Sequence, residues 1–253
     1  MLLRRAQPTD GPKPTFAASR RHGLAAYYGS VAPFYEAEMG LRDDLDGWIT
    51  LARAASARSA LDLGCGGGRV ALALAGFLRV VGIDLQTRLL PADPGFAFVQ
   101  ADMRALPFAG SRFDLALAAN DPFAHLLTDT DRARAIDEAM RVAGRLVVDG
   151  LALPAADEEE ARSGEHIREA TLPDGTERRE TWRALGGHRY RTIYHYARGG
   201  RVLAEAETDV RSWSRDEPAL RGRAVQIAGG LDGRAYDRER PGFVVVIGEP
   251  LWD

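Results

Sequence analysis

The chain has 253 residues, 45% hydrophobic and 27% charged, with a formal net charge of -3, which allows one large domain with an inserted module and argues against a general nucleic-acid-binding surface. Its one lysine, Lys13, and its one cysteine, Cys65, exclude a buried Schiff-base lysine, a phosphate-binding Gly-Lys-Ser/Thr loop, an internal disulfide and a cysteine zinc site, and no metal is expected. The longest apolar stretch, Val70 to Leu78, is well short of the ~20 residues a membrane span needs, and Met1-Leu-Leu-Arg-Arg is not followed by an apolar signal run, so a cytoplasmic protein without membrane contact is expected.

Residues 1–22 hold Pro8, Gly11, Pro12 and Pro14 and are expected to be a disordered leader. Residues 23–57 read as helical, and from Ser59 short β-like runs alternate with helical ones. The strands are Ser59–Leu63, Leu78–Ile83, Phe96–Gln100, Phe113–Leu117 and Arg145–Asp149; the clearest helices are Arg69–Ala75 and Asp129–Val142. Strands alternating with helices predict a doubly wound, Rossmann-like parallel sheet, because parallel strands need crossovers. The crossover after Asp84 contains Pro91 and Pro94, so its helix is expected to shrink to a single turn.

After Asp149 the punctuation changes to Pro173-Asp-Gly175, Gly186-Gly187 and Arg198-Gly-Gly200, which bound runs of strand length and predict an antiparallel meander. In the run Arg189 to Tyr196, alternation puts Tyr190, Thr192, Tyr194 and Tyr196 on one face. Arg223–Ala228 and Phe243–Ile247 then read as a hairpin completing a seven-stranded sheet. The expected organisation is an α/β domain over 58–153 and 214–250, with the meander inserted over 154–213. The exposed meander edge offers pairing across a homodimer.

The segment Leu61-Asp-Leu-Gly-Cys-Gly-Gly-Gly68 is a strand running into a glycine loop that opens a helix. Its plainer reading is a tight strand-to-helix turn; its functional reading is a ligand approaching the backbone at Gly64, Gly66 and Gly68. A dinucleotide fingerprint wants a small residue where Arg69 stands, and Asp62 puts negative charge near the pyrophosphate. A cationic nucleoside suits that charge better, and S-adenosylmethionine carries an ammonium and a sulfonium. Asp84, ending the second strand, can accept from ribose hydroxyls; Asp102, after the third, can accept from an adenine amino group, with Leu85 and Met103 offering apolar faces to the ring.

On these motifs, with Gly82-Ile-Asp84, Gln100-Ala-Asp102-Met103 and Phe113-Asp-Leu-Ala-Leu117 in order, the chain resembles class I S-adenosylmethionine-dependent methyltransferases. It looks most like the small-molecule subgroup with a β-rich insertion before the last two strands, matching it at Asn120-Asp121-Pro-Phe-Ala-His125 and at Gly230 to Asp237. The resemblance implies that Asp62 and the glycines hold the methionyl part, Asp84 the ribose, and Asp102 with Met103 the adenine, and it adds Asn120 to the cofactor contacts. It makes residues 23–57 a lid whose Tyr28 and Tyr35 cover the cofactor's carboxylate, although Gly29 and Glu36 stand where the subgroup has aspartates; an aromatic helix packing on the core is the other reading.

Methyl transfer from a sulfonium needs proximity and alignment, and a hydroxyl or ammonium acceptor also needs a base. His125 and Asp121, after the fourth strand, are the catalytic candidates; His125 also reads as an ordinary packed histidine. His188, His195, Trp182 and the meander tyrosines either line the acceptor pocket or pack the meander. The expected function is methyl transfer from S-adenosylmethionine to an O, N or C atom of a small-molecule acceptor. The alternatives are a non-catalytic nucleotide-binding protein and an NAD-dependent oxidoreductase.

Overall fold

The computed structural model describes residues 23–252; the leader expected over 1–22 lies outside the described residues. Two helices, α1 (Leu24–Met39) and α2 (Leu45–Ala54), precede β1 (Ser59–Leu63), α3 (Arg69–Ala75), β2 (Arg79–Asp84), β3 (Ala97–Gln100), β4 (Leu115–Ala118), α4 (Asp129–Val142) and β5 (Arg145–Asp149). Helix α5 (Ala155–Ser163) leads into β6 (His166–Thr171), β7 (Glu177–Gly186), β8 (Arg189–Arg198) and β9 (Arg201–Arg211), followed by β10 (Val225–Ala228) and β11 (Val244–Gly248). Among the described residues no helix is long and apolar enough to cross a membrane.

The strands form a 7-stranded sheet in the order β3-β2-β1-β4-β5-β11-β10 and a separate 4-stranded meander, β6-β7-β8-β9. Pairs from β3 to β5 are parallel, and β11 runs antiparallel to both β5 and β10. This is the expected doubly wound sheet with an inserted meander. Two local departures have simple causes. Strand β4 starts late because the Asp114 carboxylate accepts from the backbone N–H groups of Arg58 (2.8 Å) and Ser59 (3.0 Å), leaving Phe113 an isolated bridge to Ala143. Helix α5 went unread because it buries only Glu158 and Ala161 and shows no apolar stripe.

The central strands are buried on both faces, which is why they read as continuous apolar runs. Alternate residues go to opposite layers: Leu61, Leu63, Leu146, Val148, Val245 and Ile247 pack with Ile136 and Ala139 of α4, whereas Leu115, Leu117, Val147, Val244 and Val246 meet Trp48 and Leu51 of α2 and Val70 and Leu74 of α3.

The insertion is fastened to the sheet by buried charge. Asn120 and Asp121, at φ 57 and 45, turn the chain sharply after β4, and the Asp121 carboxylate accepts from the Leu151 N–H (2.6 Å) and the Trp213 indole N–H (3.1 Å). Trp213 N–H in turn donates to the Leu151 carbonyl at 2.7 Å, so the two ends of the insertion meet at this point. Beside it Arg132 of α4, 0% exposed, pairs with Glu217 at 2.8 Å and donates to the carbonyls of Leu126, Arg211 and Ser212. Its guanidinium lies over the Trp213 ring, 4.6 Å from the centroid. Arg132→Met should therefore lower stability by about 3–5 kcal/mol, since it strands buried acceptors. Urea unfolding of the variant measures this; a midpoint equal to that of the parent would show that the guanidinium holds nothing in place.

Candidate functional site

The carboxyl edges of β1 to β4 meet under α1. Gly64, Gly66 and Gly68 all have positive φ, and each has a neighbour where a side chain would stand, Pro122 in the case of Gly64. A Cβ on Gly66 would strike the Tyr35 hydroxyl, and one on Gly68 would strike the Phe96 ring. Gly66 thus leaves room beneath a lid tyrosine, whereas Gly68 admits close packing of β3. Cys65 N–H donates to the Ile83 carbonyl at 2.9 Å, tying the loop to β2. Burial pushes the Cys65 thiol up, with the nearby Asp62 and Asp84 charges adding to it, so it stays protonated and is no nucleophile.

Two of the aspartates, Asp62 buried and Asp84 half-buried, stand without a cation. Asp62 is 2% exposed; burial, reinforced by the Asp84 charge, pushes its carboxyl up to about 7. Asp84 is also raised by burial, and its oxygens accept only backbone N–H groups, Gln86 at 2.7 Å and Gly66 at 2.9 Å. A carboxylate has about four lone-pair sites, so Asp84 keeps capacity for two further donors. Among the described residues neither acid forms an ion pair. An acidic pair, one member buried and one half-buried, that lacks a counter-ion is a place for a cationic ligand that also carries hydroxyls, and the ammonium, sulfonium and ribose of S-adenosylmethionine meet that description.

Asp102 is different. Arg104 donates to its carboxylate through the backbone N–H (2.9 Å), Nε (3.1 Å to each oxygen) and Nη2 (2.7 Å). Arg104 holds the carboxyl below its usual range and also pairs with Asp131 at 2.8 Å. The lone pairs expected to meet an adenine amino group are therefore engaged. The apolar pair fares better: Leu85 stands at the edge 45% exposed, and Met103 reaches toward Gly64.

Tyr28 and Tyr35 lie two turns apart on one face of α1. Tyr35 covers Gly66, and burial beside Asp84 and Asp62 keeps its hydroxyl protonated. Tyr28 takes a different partner, His125, whose Nε2 lies 3.2 Å from the Tyr28 hydroxyl. His125 sits in the 3-10 turn Pro122–His125, with Nδ1 buried and unpartnered, and burial depresses its pKa to about 4. It is a neutral imidazole at pH 7. Asp121, the other catalytic candidate, is 5% exposed and both its oxygens are engaged by Trp213; the arrangement makes it an anchor for the insertion and not a base facing an acceptor. Its carboxyl is pushed up to about 6, chiefly by burial, against the pull of Arg132.

Asn120 is held by an ionic network that sequence reading missed. Arg42, in the link between α1 and α2, donates to Asn120 Oδ1 (2.7 Å), Asp149 Oδ2 (2.5 Å) and Asp44 Oδ2 (3.0 Å), and Asp44 also pairs with Arg69. The network ties the lid's far end to the ends of β4 and β5 and to the start of α3. The signal was present: Asp149 ends a strand just as Asp84 does. In the meander, Trp182 packs edge-on to Tyr190 at 5.9 Å, and His188 and His195 lie loosely beside Glu158 (3.6 Å) and Glu205 (3.8 Å). Two meander tyrosines reach the lid: Tyr194 lies 5.6 Å from Tyr27 between ring centroids, and Tyr196 stacks on Phe34.

The Asp62 geometry has a pH signature. Its folded-state pKa is raised above the unfolded one, so the folded protein binds more protons and stability falls as pH rises from about 4 to about 7. Asp62→Asn should gain on the parent by on the order of 1–3 kcal/mol between pH 5 and pH 8. Urea midpoints at both pH values test this; parallel shifts would show that Asp62 is ionised throughout.

A methyltransferase-domain family matches residues 60–144. None of the curated protein sequences matches the chain. Among solved structures, the CcbJ methyltransferase from Streptomyces caelestis is similar with a TM-score of 0.74 at 20% identity, covering 90% of this chain and 99% of that one. DesVI from Streptomyces venezuelae has a TM-score of 0.65 at 20% identity over the same 90% and 99%. An S-adenosylmethionine-dependent methyltransferase from Clostridium acetobutylicum reaches 0.67 at 13% identity, covering 87% and 98%. Residues 60–144 thus match a methyltransferase-domain family, and the chain as a whole shares the fold of solved S-adenosylmethionine-dependent methyltransferases.

Proposed function

We propose that the enzyme methylates an O, N or C atom of a small metabolite, with His125 as the proton acceptor where the acceptor must lose a proton. The observation that carries this reading is the pair of acids without an ion pair, buried Asp62 and half-buried Asp84, beside a glycine loop covered by Tyr35. In it, Asp62 and the backbone at Gly64 and Gly66 face the methionyl ammonium, Asp84 receives the ribose hydroxyls, and Leu85 and Met103 flank the adenine. When bound, the cofactor supplies an already activated methyl group. The protein's part is then to align the acceptor, exclude water and take up a proton.

The roof over the strand ends supports a small acceptor. Phe34 of α1 stacks on Tyr196 of β8 at 4.1 Å, and the Tyr196 hydroxyl donates to Glu38 at 2.8 Å. Lid and insertion thus pack on each other, which supports an enclosed site for a small acceptor. In the tautomer that donates Nε2–H to the Tyr28 hydroxyl, Nδ1 of His125 holds the lone pair that a base needs.

Isothermal titration with S-adenosylmethionine and S-adenosylhomocysteine tests the cofactor placement. Both should bind, and Asp84→Ala should weaken them by about 1.5–3 kcal/mol through loss of its hydrogen bonds. A cation entering beside Asp62 should also drive off its proton. At pH 6.5 the apparent binding enthalpy should therefore differ between two buffers of unequal ionisation enthalpy, and Asp62→Asn should remove the difference. An absence of heat for either ligand, or an unaltered affinity in Asp84→Ala, would overturn these assignments.

A further inference from the structure

Between the first turn of α1, the segment following β4 and the edge strand β9 lies a cleft of about 270 Å3, lined among others by Leu24, His125, Leu127, Arg191, Glu207 and Asp209. We propose that this cleft is the acceptor subsite and that it selects a small molecule bearing a protonated amine, with Glu207 as its anchoring carboxylate. The inference rests on the reading of His125 as the residue at the methyl-accepting side.

Position comes first. His125 is shared by the two halves of the site: it lines the cleft, and through Nε2 it meets Tyr28, which shares a helix face with the Tyr35 that covers Gly66. A molecule in the cleft therefore borders the residue whose Nε2 meets Tyr28. Leu24 and Leu127 supply apolar wall, as in small-molecule sites where a few polar groups fix orientation within an apolar lining.

Charge comes second. Two carboxylates face one guanidinium. Arg191 clasps Asp209 with two hydrogen bonds, Nε to Oδ1 at 2.8 Å and Nη2 to Oδ2 at 3.1 Å. Glu207 meets only the same Nε, at 3.2 Å, and among the described residues it forms no other ion pair. His125 stays neutral because burial disfavours its charged form. The cleft thus carries an excess negative charge at pH 7, which favours an ammonium and repels a carboxylate or phosphate.

The test uses benzylamine and its neutral counterpart benzyl alcohol, nearly equal in size and differing in charge. Ligand-observed NMR on the full chain at pH 7 should show benzylamine bound about threefold or more tightly than the alcohol, the scale of a partly exposed ion pair. Glu207→Gln should remove that preference and leave the affinity for S-adenosylhomocysteine, measured in parallel, unchanged. Arg191→Gln should strengthen benzylamine binding, because it frees Asp209 as well. Equal binding of the two probes to the parent, or a preference that survives Glu207→Gln, would overturn the proposal. Loss of S-adenosylhomocysteine binding in the parent would instead strike the cofactor placement, which the benzylamine comparison does not depend on.

Discussion

The turn after β4 is the constraint on which the site depends. Asn120 and Asp121 both occupy left-handed backbone, a conformation that Asn and Asp tolerate better than most residues. The turn drives Asp121 inward to the Leu151 N–H and the Trp213 indole and sets the next residues as the short 3-10 turn that ends at His125. Arg132 then gathers the carbonyls of Leu126, Arg211 and Ser212 around a guanidinium paired with Glu217. A buried ion pair is weak evidence of net stability. Here its plainer effect is one of position, since it holds together three segments whose backbone acceptors have no water to turn to.

A second constraint opposes the first in kind. At the insertion the buried charges are matched, whereas at the glycine loop buried Asp62 and half-buried Asp84 have no ion-pair partner among the described residues. Fold stability alone does not call for that arrangement, and apolar residues at both positions would avoid the desolvation cost. It becomes intelligible when a bound cation completes the site, because the attraction withheld from folding is then available for binding. His125 differs from both acids: burial depresses its pKa and keeps the ring neutral, and Nε2 is committed to the Tyr28 hydroxyl.

Much of this was legible in the sequence, for physical reasons that differ along the chain. Strands β1, β4, β5 and β11 are buried on both faces, so each announces itself as an apolar run. The meander was legible through its turn glycines, and the single turn at Thr87–Leu89 through two prolines. The glycine loop and Asp84 were legible because each is local to one strand end. What escaped were roles decided by a side chain's partner. Asp102 sits at the expected edge, but Arg104, two residues on, takes up its carboxylate. Asp121 reads as a base in the sequence and is placed as an anchor, because Trp213 is brought to it from the far side of the insertion. The Arg42, Asp44, Arg69 and Asp149 network joins the link between α1 and α2 to α3 and β5, which no spacing rule connects.

That network bears on how lid and loop act together. Helix α1 is held at its middle by Phe34 stacked on Tyr196 and near its end by Glu38 bonded to the same tyrosine. Just beyond that end, Arg42 binds the ends of β4 and β5. Tyr35, the residue over Gly66, lies within the fastened stretch, and Tyr28 lies toward the end where α1 begins. A rigid lid would have to break the Arg42 contacts and the Tyr196 contacts together to uncover Gly66. Bending at Pro33, which cannot donate to the helix ladder, would release Tyr28 from His125 while Tyr35 stayed in place. The first two turns are themselves tied, Tyr27 to Tyr194 of β8 and Tyr28 to His125, so α1 is fastened on both sides of Pro33 and a bend there has to part both of those contacts.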